Sequence, residues 1–273
     1  MMPKGVSAHV AIEFVDRHAY PQEWPSMPGC ANDARSMRLL SSDRGFEPLP
    51  LLLNASATRL AVKNTIADAA KRLERGDVFL LTFSGHGAEV DGGDDEDRDQ
   101  TWVLFDGQLL DDCLNKAWGL FKPGVRVVVV SDSCHSGSIL DARGEGKASR
   151  HAGTTETKSI PRRLQDAYVD VHRAELKRMK DDCGAAAPSA CVIQLGACQD
   201  AQETDPPPTP ETNSPFTAAL IEVFESHGGH VAGGYPAYVD LITRQLHKPQ
   251  QQASFLQIGV PDPTFVSGDP FRV

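Results

Sequence analysis

Short apolar runs alternate along this chain with segments of helical spacing. Ser7 to Phe14 and Glu47 to Leu53 read as extended, and Asp77 to Phe83 and Val125 to Val130 are apolar at nearly every position. Uninterrupted runs of that kind belong to strands covered on both faces. Between them, Asn32 to Leu40 and Thr58 to Arg75 have helical spacing, and Asn32 is the expected N-cap of the first helix. Trp102 to Phe105 predicts a short strand or hairpin arm. The alternation predicts an α/β fold with a mostly parallel central sheet and helices on both faces.

The texture changes after Asp141. Ala142 to Ser159 is rich in Gly, Ser, Thr, Lys and Arg and reads as an exposed linker. Arg163 to Lys180 predicts an amphipathic helix, Ala190 to Ala197 another strand, and Asp205 to Pro210 a polar, proline-broken loop. Ser214 to Ser226 and Pro236 to Leu246 predict helices, and Ala253 to Ile258 a last strand. No internal repeat is visible.

Composition narrows the function classes. The 273 residues are 40% hydrophobic and 23% charged, as in a globular protein with ample core material. A net charge of −10 argues against a general nucleic-acid surface. The basic stretch Lys177 to Lys180 runs straight into Asp181 and Asp182 and reads as a solvated helix end. Glu13 and Asp16 interrupt the early apolar run, so no signal peptide is expected, and no run approaches the roughly 20 apolar residues of a membrane span. The six cysteines are scattered without a C-x-x-C pair, which favours free thiols over a disulfide framework and a cytoplasmic location.

The chemistry concentrates in Ser84-Gly85-His86-Gly87 and Asp132-Ser133-Cys134-His135-Ser136-Gly137. Each follows a predicted strand, so a parallel sheet delivers an imidazole and a thiol to one edge, where α/β sheets place their sites. A thiol needs a neighbouring base or cation to ionise near neutral pH, and histidine is its usual partner. The glycines beside His86 permit a sharp turn that exposes N–H groups to a developing oxyanion. Singly, a loop histidine and a buried structural thiol are the ordinary readings; together at strand exits they point to a cysteine peptidase. His135 is a rival base, although adjacent residues normally point apart.

With Gly29-Cys30-Ala31-Asn32-Asp33-Ala34, Gly76-Asp77, the acidic loop Asp91 to Gln100, Leu110-Asp111-Asp112 and, more weakly, Gly196 to Asp200 and Asp262 to Phe271, these motifs resemble the caspase-fold cysteine peptidases. The branch is the metacaspase and orthocaspase one in its bacterial stand-alone form. The separation of His86 and Cys134, about 50 residues with histidine first, is that of caspase signatures. The resemblance spans nearly the whole chain. It implies a single caspase-like three-layer sandwich over 1–273, with a large-subunit-like region at 1–141, a linker region at 142–189 and a small-subunit-like region at 190–273. It further implies His86 as general base and acid, Cys134 as nucleophile, and the N–H groups of Gly87 and Cys134 as oxyanion hole.

Asp132, two residues before the thiol, stands where caspases that accept aspartate carry glutamine. A carboxylate there favours a cationic side chain before the cut bond. The resemblance adds Cys30, Asp33 and Ser84 as pocket walls, with a carboxylate pair suited to arginine or lysine; the plainer reading of Asp33 is a helix-start residue. Expected partners are therefore proteins or peptides with Arg or Lys at the cleavage site, for a monomer without nucleic-acid or membrane partners.

Asp91, Asp94, Asp95, Glu96, Asp97 and Asp99 crowd one loop, which does not fit an EF-hand: counted from Asp95, Gln100 replaces the glycine and Asp106 the final glutamate. By the resemblance, Asp99, Asp111, Asp112 and Asp141 hold a regulatory calcium; the plainer reading is a solvated acidic loop. No Cys/His cluster has zinc spacing. Arg143, Lys147, Arg150 and Lys158, with Arg162 and Arg163 beyond, make self-cleavage in the linker chemically feasible. The glycine-rich Gly228 to Gly234 lacks the lysine of a phosphate loop and reads as a turn. Cys191, Cys198, Trp24, Trp102 and Trp118 read as packing residues. Two rival functions stand beside hydrolysis: a catalytically silent caspase-like adaptor, and a transpeptidase or ligase using the same acyl-enzyme.

Overall fold

A computed structural model describes residues 3–91, 98–134, 158–183, 187–198, 204–248 and 251–273. The first strand, β1 (Gly5–Ala11), is followed by α1 (Cys30–Asp43), β2 (Phe46–Pro48), β3 (Leu52–Leu53), α2 (Arg59–Arg72) and β4 (Val78–Ser84). Next come the short strands β5 (Gly87–Asp91), β6 (Arg98–Leu104) and β7 (Gly107–Leu110), then α3 (Asp111–Trp118) and β8 (Arg126–Asp132). The remainder is α4 (Arg162–Cys183), β9 (Cys191–Gly196), α5 (Pro215–Ser226), α6 (Gly234–Leu246), β10 (Ser254–Gly259) and α7 (Pro263–Val266).

The main sheet has the strand order β10-β9-β8-β4-β1-β2, with β3 also on β1. Every pairing in it is parallel except β10 on β9. Strand periodicity divides the core in two. Phe79, Leu81 and Phe83 of β4 with Val127 and Val129 of β8 pack on the side of α2, α3 and α4. Val78 and Leu80 with Val128 and Val130 pack on the side of α5, α6 and part of α1. Because side chains alternate along a strand, the even-numbered positions of β4 and β8 share one face. The register pairs Ser84 with Asp132, so these two side chains stand together at the carboxyl edge on the α1 and α5 side.

Local chemistry explains most element starts. Thr58 caps α2 by accepting from the Ala61 N–H, a contact worth about 1 kcal/mol. Pro215 opens α5, where its fixed φ suits the first turn. At α1 the expectation fails: the N-cap is Gly29, at φ 101°, and Asn32 lies inside the first turn with its Nδ2 donating to Pro210 O at 2.6 Å. A Cβ at Gly29 meets Pro207 Cβ at 2.7 Å, so both conformation and space require glycine there.

One further expectation holds in a more specific form, and another is corrected. The Trp102 region is the middle strand of a separate antiparallel sheet, β5-β6-β7, whose apolar face joins the α2–α4 core. Cys113 and Cys183 are not free thiols: they form a disulfide with Cα atoms 4.9 Å apart, tying α3 to the end of α4. Cys30, Cys134, Cys191 and Cys198 are buried and take no part in this disulfide. No helix among the described residues is long and apolar enough to cross a membrane.

Candidate active site

The carboxyl edge of β4 and β8 gathers the predicted pocket residues. Asp33 projects from the first turn of α1 and accepts from Ser84 Oγ at 2.6 Å, from Ser214 N at 2.8 Å and from Ser214 Oγ at 2.5 Å. Asp132 ends β8, and its Oδ2 accepts from Thr217 N at 3.2 Å and Thr217 Oγ1 at 2.6 Å. Ser214 and Thr217 belong to the start of α5 and had no signal in the sequence, since their partners are 181 and 85 residues away. Cys30 is buried beside them; burial pushes its thiol up to about 12, so it stays protonated.

The pocket holds Lys158. Its side chain is fully buried, with Nζ 2.6 Å from Asp132 Oδ1, 2.9 Å from Asp132 O, 3.2 Å from Ser84 Oγ and 3.9 Å from Asp33 Oδ2. Burial alone pulls a lysine pKa down, yet the carboxylates of Asp132 and Asp33 raise this one above its usual value. Asp33 answers differently: burial pushes its carboxyl up to about 6 against the pull of Lys158. A lysine is almost never buried unless paired. The sequence placed Lys158 at the end of an exposed linker; the compensating carboxylates, which only folding assembles, overturn that reading. The rest of that linker, with Arg143, Lys147 and Arg150, lies outside the described residues.

The backbone of Lys158 is linked to both residues of the expected dyad. Its N–H donates to Thr204 O at 2.9 Å, and its carbonyl oxygen lies 2.9 Å from His86 Nδ1. Thr204 in turn donates its N–H to Cys134 Sγ at 3.3 Å. Ser159, the next residue, forms a parallel bridge with Gly87. Gly87 also abuts the thiol residue: a Cβ there meets Cys134 O at 1.9 Å. His86 thus meets the Lys158 carbonyl directly, and Cys134 is linked to the same segment through Thr204. His135, the rival base, lies outside the described residues.

His86 Nε2 faces Pro25 O at 2.9 Å, so both ring nitrogens meet carbonyl oxygens. An imidazolium serves both acceptors at once, but burial pulls the pKa below its usual value, with the two carbonyls opposing. In the neutral ring one nitrogen carries the proton. Either neutral tautomer donates to only one of the two carbonyls and turns its other nitrogen's lone pair toward the second. Pro25 is a site residue that no motif announced.

The acidic region is built otherwise. Asp111 is buried and its pKa is raised, first by burial and then by Asp99 and Asp112. Asp112 is raised by burial and by Asp99. Lys180 of α4 spans Asp99, with Nζ 3.2 Å from Oδ1 and 3.1 Å from Oδ2. Among the described residues no group of three acidic, histidine or cysteine side chains is arranged to hold a metal, and Asp141 lies outside them. Asp99, Asp111 and Asp112 sit near enough to one another for Asp111 and Asp112 to hold a proton more tightly than usual.

Residues 12–259 match the caspase domain family of peptidases, and the chain belongs to that family. Its relatives are metacaspases. It is 33% identical over 155 residues to metacaspase-4 of Arabidopsis thaliana, covering 51% of this chain and 37% of that protein. It is 32% identical over 135 residues to metacaspase-1 of Yarrowia lipolytica, covering 42% of this chain and 29% of that protein. The matched stretch thus spans about a third of those relatives' length. The crystal structure of a Geobacter sulfurreducens protein superposes with a TM-score of 0.84 at 32% identity, covering 99% of both chains.

Proposed function

We propose that this protein is a cysteine endopeptidase that cuts after lysine or arginine, and that the Lys158–Ser159 bond is its own first substrate. One observation carries the reading: a fully buried lysine salt-bridged at the floor of the pocket, with its carbonyl against His86. A lysine ammonium and an arginine guanidinium both complement a two-carboxylate pocket, whereas an aspartate side chain meets Asp132 and Asp33 as a like charge.

In this mechanism the Nδ1 of His86 takes the proton from Cys134 Sγ, and the thiolate attacks the carbonyl carbon of the residue in the pocket. Pro25 O holds the Nε2–H tautomer, so that Nδ1 remains the base. The negative charge that develops on the carbonyl oxygen is met by the N–H groups of Gly87 and Cys134. Collapse breaks the C–N bond, and the imidazolium returns its proton to the leaving amine. Water then attacks the thioester, activated by the same ring, and frees the new carboxylate and Cys134. Hydrolysis of Lys158–Ser159 empties the pocket for substrates in trans.

Calcium activation rests on the family resemblance and on the mutual repulsion of Asp99, Asp111 and Asp112, which a cation relieves. No step above is routed through it. The discriminating experiment is a positional peptide-library scan with and without calcium, on wild type and Cys134→Ala. The expected result is cleavage after Arg and Lys by wild type alone. Equal cleavage after aspartate refutes the pocket assignment, and a rate indifferent to added calcium and to chelation removes the regulatory claim.

A further inference from the structure

The disulfide and the proposed cut lie in a telling order along the chain. Cys113 precedes Lys158, and Cys183 follows Ser159 at the far end of α4. Both sulfur-bearing residues are buried, Cys113 in the first turn of α3 and Cys183 in the last turn of α4. We propose that Cys113–Cys183 is a covalent clasp across the processing site, so that self-cleavage yields one disulfide-linked, two-fragment molecule. This rests on the reading of Lys158–Ser159 as the processed bond.

Hydrolysis consumes one water and leaves a carboxylate on Lys158 and an ammonium on Ser159; the S–S bond takes no part. Before the cut the bond closes a loop within one chain. Afterwards it joins the fragment carrying His86 and Cys134 to the one carrying Ser214 and Thr217, the residues that orient Asp33 and Asp132. Without it the two fragments hold by non-covalent contacts: β8 on β9, Arg59 on Glu175 at 2.7 Å, and Gln108 on Gln165 at 2.9 Å. A non-covalent pair unfolds by dissociation and becomes less stable on dilution, whereas a linked pair does not. The clasp therefore fixes the lifetime of the processed protein at low concentration, and a dithiol reductant that converts S–S to two thiols abolishes that protection.

The test uses the full chain, purified without reductant and left until reducing gels show two fragments. Wild type is expected to run as one full-size band on a non-reducing gel, and Cys183→Ser as two bands on both gels. On tenfold dilution the Tm of processed Cys183→Ser falls while that of processed wild type stays fixed. Separately, uncut Cys134→Ala is denatured and treated with iodoacetamide. Cys30, Cys191 and Cys198 are expected to be alkylated at once, and Cys113 and Cys183 after reduction alone. Fragments that separate without reductant, or Cys113 and Cys183 alkylated before reduction, overturn the clasp and leave processing standing. Absence of fragments on reducing gels overturns processing, and the clasp with it, while the alkylation pattern still shows whether the disulfide forms.

Discussion

Two groups of carboxylates in this molecule each receive a lysine from the region that follows Cys134 and precedes β9, and they use it differently. At the β4–β8 edge, Asp33 and Asp132 are held by Ser84, Ser214 and Thr217, and Lys158 sits among them fully buried. At the start of α3, Lys180 pairs with Asp99, with 30% of its side chain exposed, while Asp111 and Asp112 keep raised pKa values. The first group is preorganised: hydroxyl and amide donors fix each carboxylate, and a cation of one shape completes it. The second is crowded and incompletely answered. Preorganised donors select a ligand, whereas crowded carboxylates attract any cation that reaches them.

That contrast breaks most sharply at Asp132. Asp132→Asn leaves Lys158 buried without its charge partner, and breaking a buried pair from one side costs about 3–5 kcal/mol. The expected outcome is a lower Tm together with a loss of roughly 100-fold or more in kcat/KM on lysine and arginine peptides, read by thermal unfolding and by peptide kinetics. A wild-type rate on those peptides removes Asp132 from the pocket.

Gly87→Ala sharpens the geometry of the edge itself. The new Cβ meets Cys134 O at 1.9 Å, and backbone has to move. A fall of about 10–100-fold in kcat with KM little changed is expected, as for a small misplacement at the reacting atoms. Equal rates in the two proteins place the chemistry elsewhere.

The pH dependence follows from Asp33. Its folded pKa of about 6 lies above the usual carboxylate value, so the folded state binds the proton more tightly than the unfolded one. Its ionised form therefore costs stability as pH rises from about 4 through 6, whereas cation binding needs that form. With the Lys158 ammonium gone from the emptied pocket, the carboxyl holds its proton more tightly still. KM for lysine peptides is therefore expected to rise as pH falls towards about 6, and Asp33→Asn to remove that limb while raising KM at all pH values. An unchanged acid limb in Asp33→Asn assigns it to another group.

The smallest effect belongs to the second group. Lys180→Ala removes a partly buried ion pair, worth about 1 kcal/mol. Tm is expected to shift by a few degrees at most, while the calcium concentration needed for half-activation falls several-fold because a competing cation is gone. An unchanged calcium requirement separates Lys180 from activation.

How much of this was legible beforehand follows the reach of each signal. The strand runs, the helices and the two strand-exit motifs are local patterns, and β4, β8, α2 and α5 lie within a few residues of their predicted places. The carboxylate pocket was legible because Asp132 adjoins the thiol motif and Asp33 a recognised run. Ser214, Thr217 and Pro25 were not, since each serves a single partner far away in sequence and leaves no periodicity behind. The Cys113–Cys183 pairing escaped for the same reason: scattered cysteines carry no mark of which two will meet. Asn32 looked like a cap by residue type, but the left-handed turn at Gly29 starts the helix earlier.

The central claim is that Cys134 and His86 act on the peptide that Lys158 anchors. It is tested most directly by incubating the full chain and identifying fragment ends by mass spectrometry and N-terminal sequencing, beside Cys134→Ala and His86→Ala. A new N-terminus at Ser159 in wild type, absent from both variants, is the predicted result. An intact wild-type chain, or the same Ser159 end in Cys134→Ala, contradicts it.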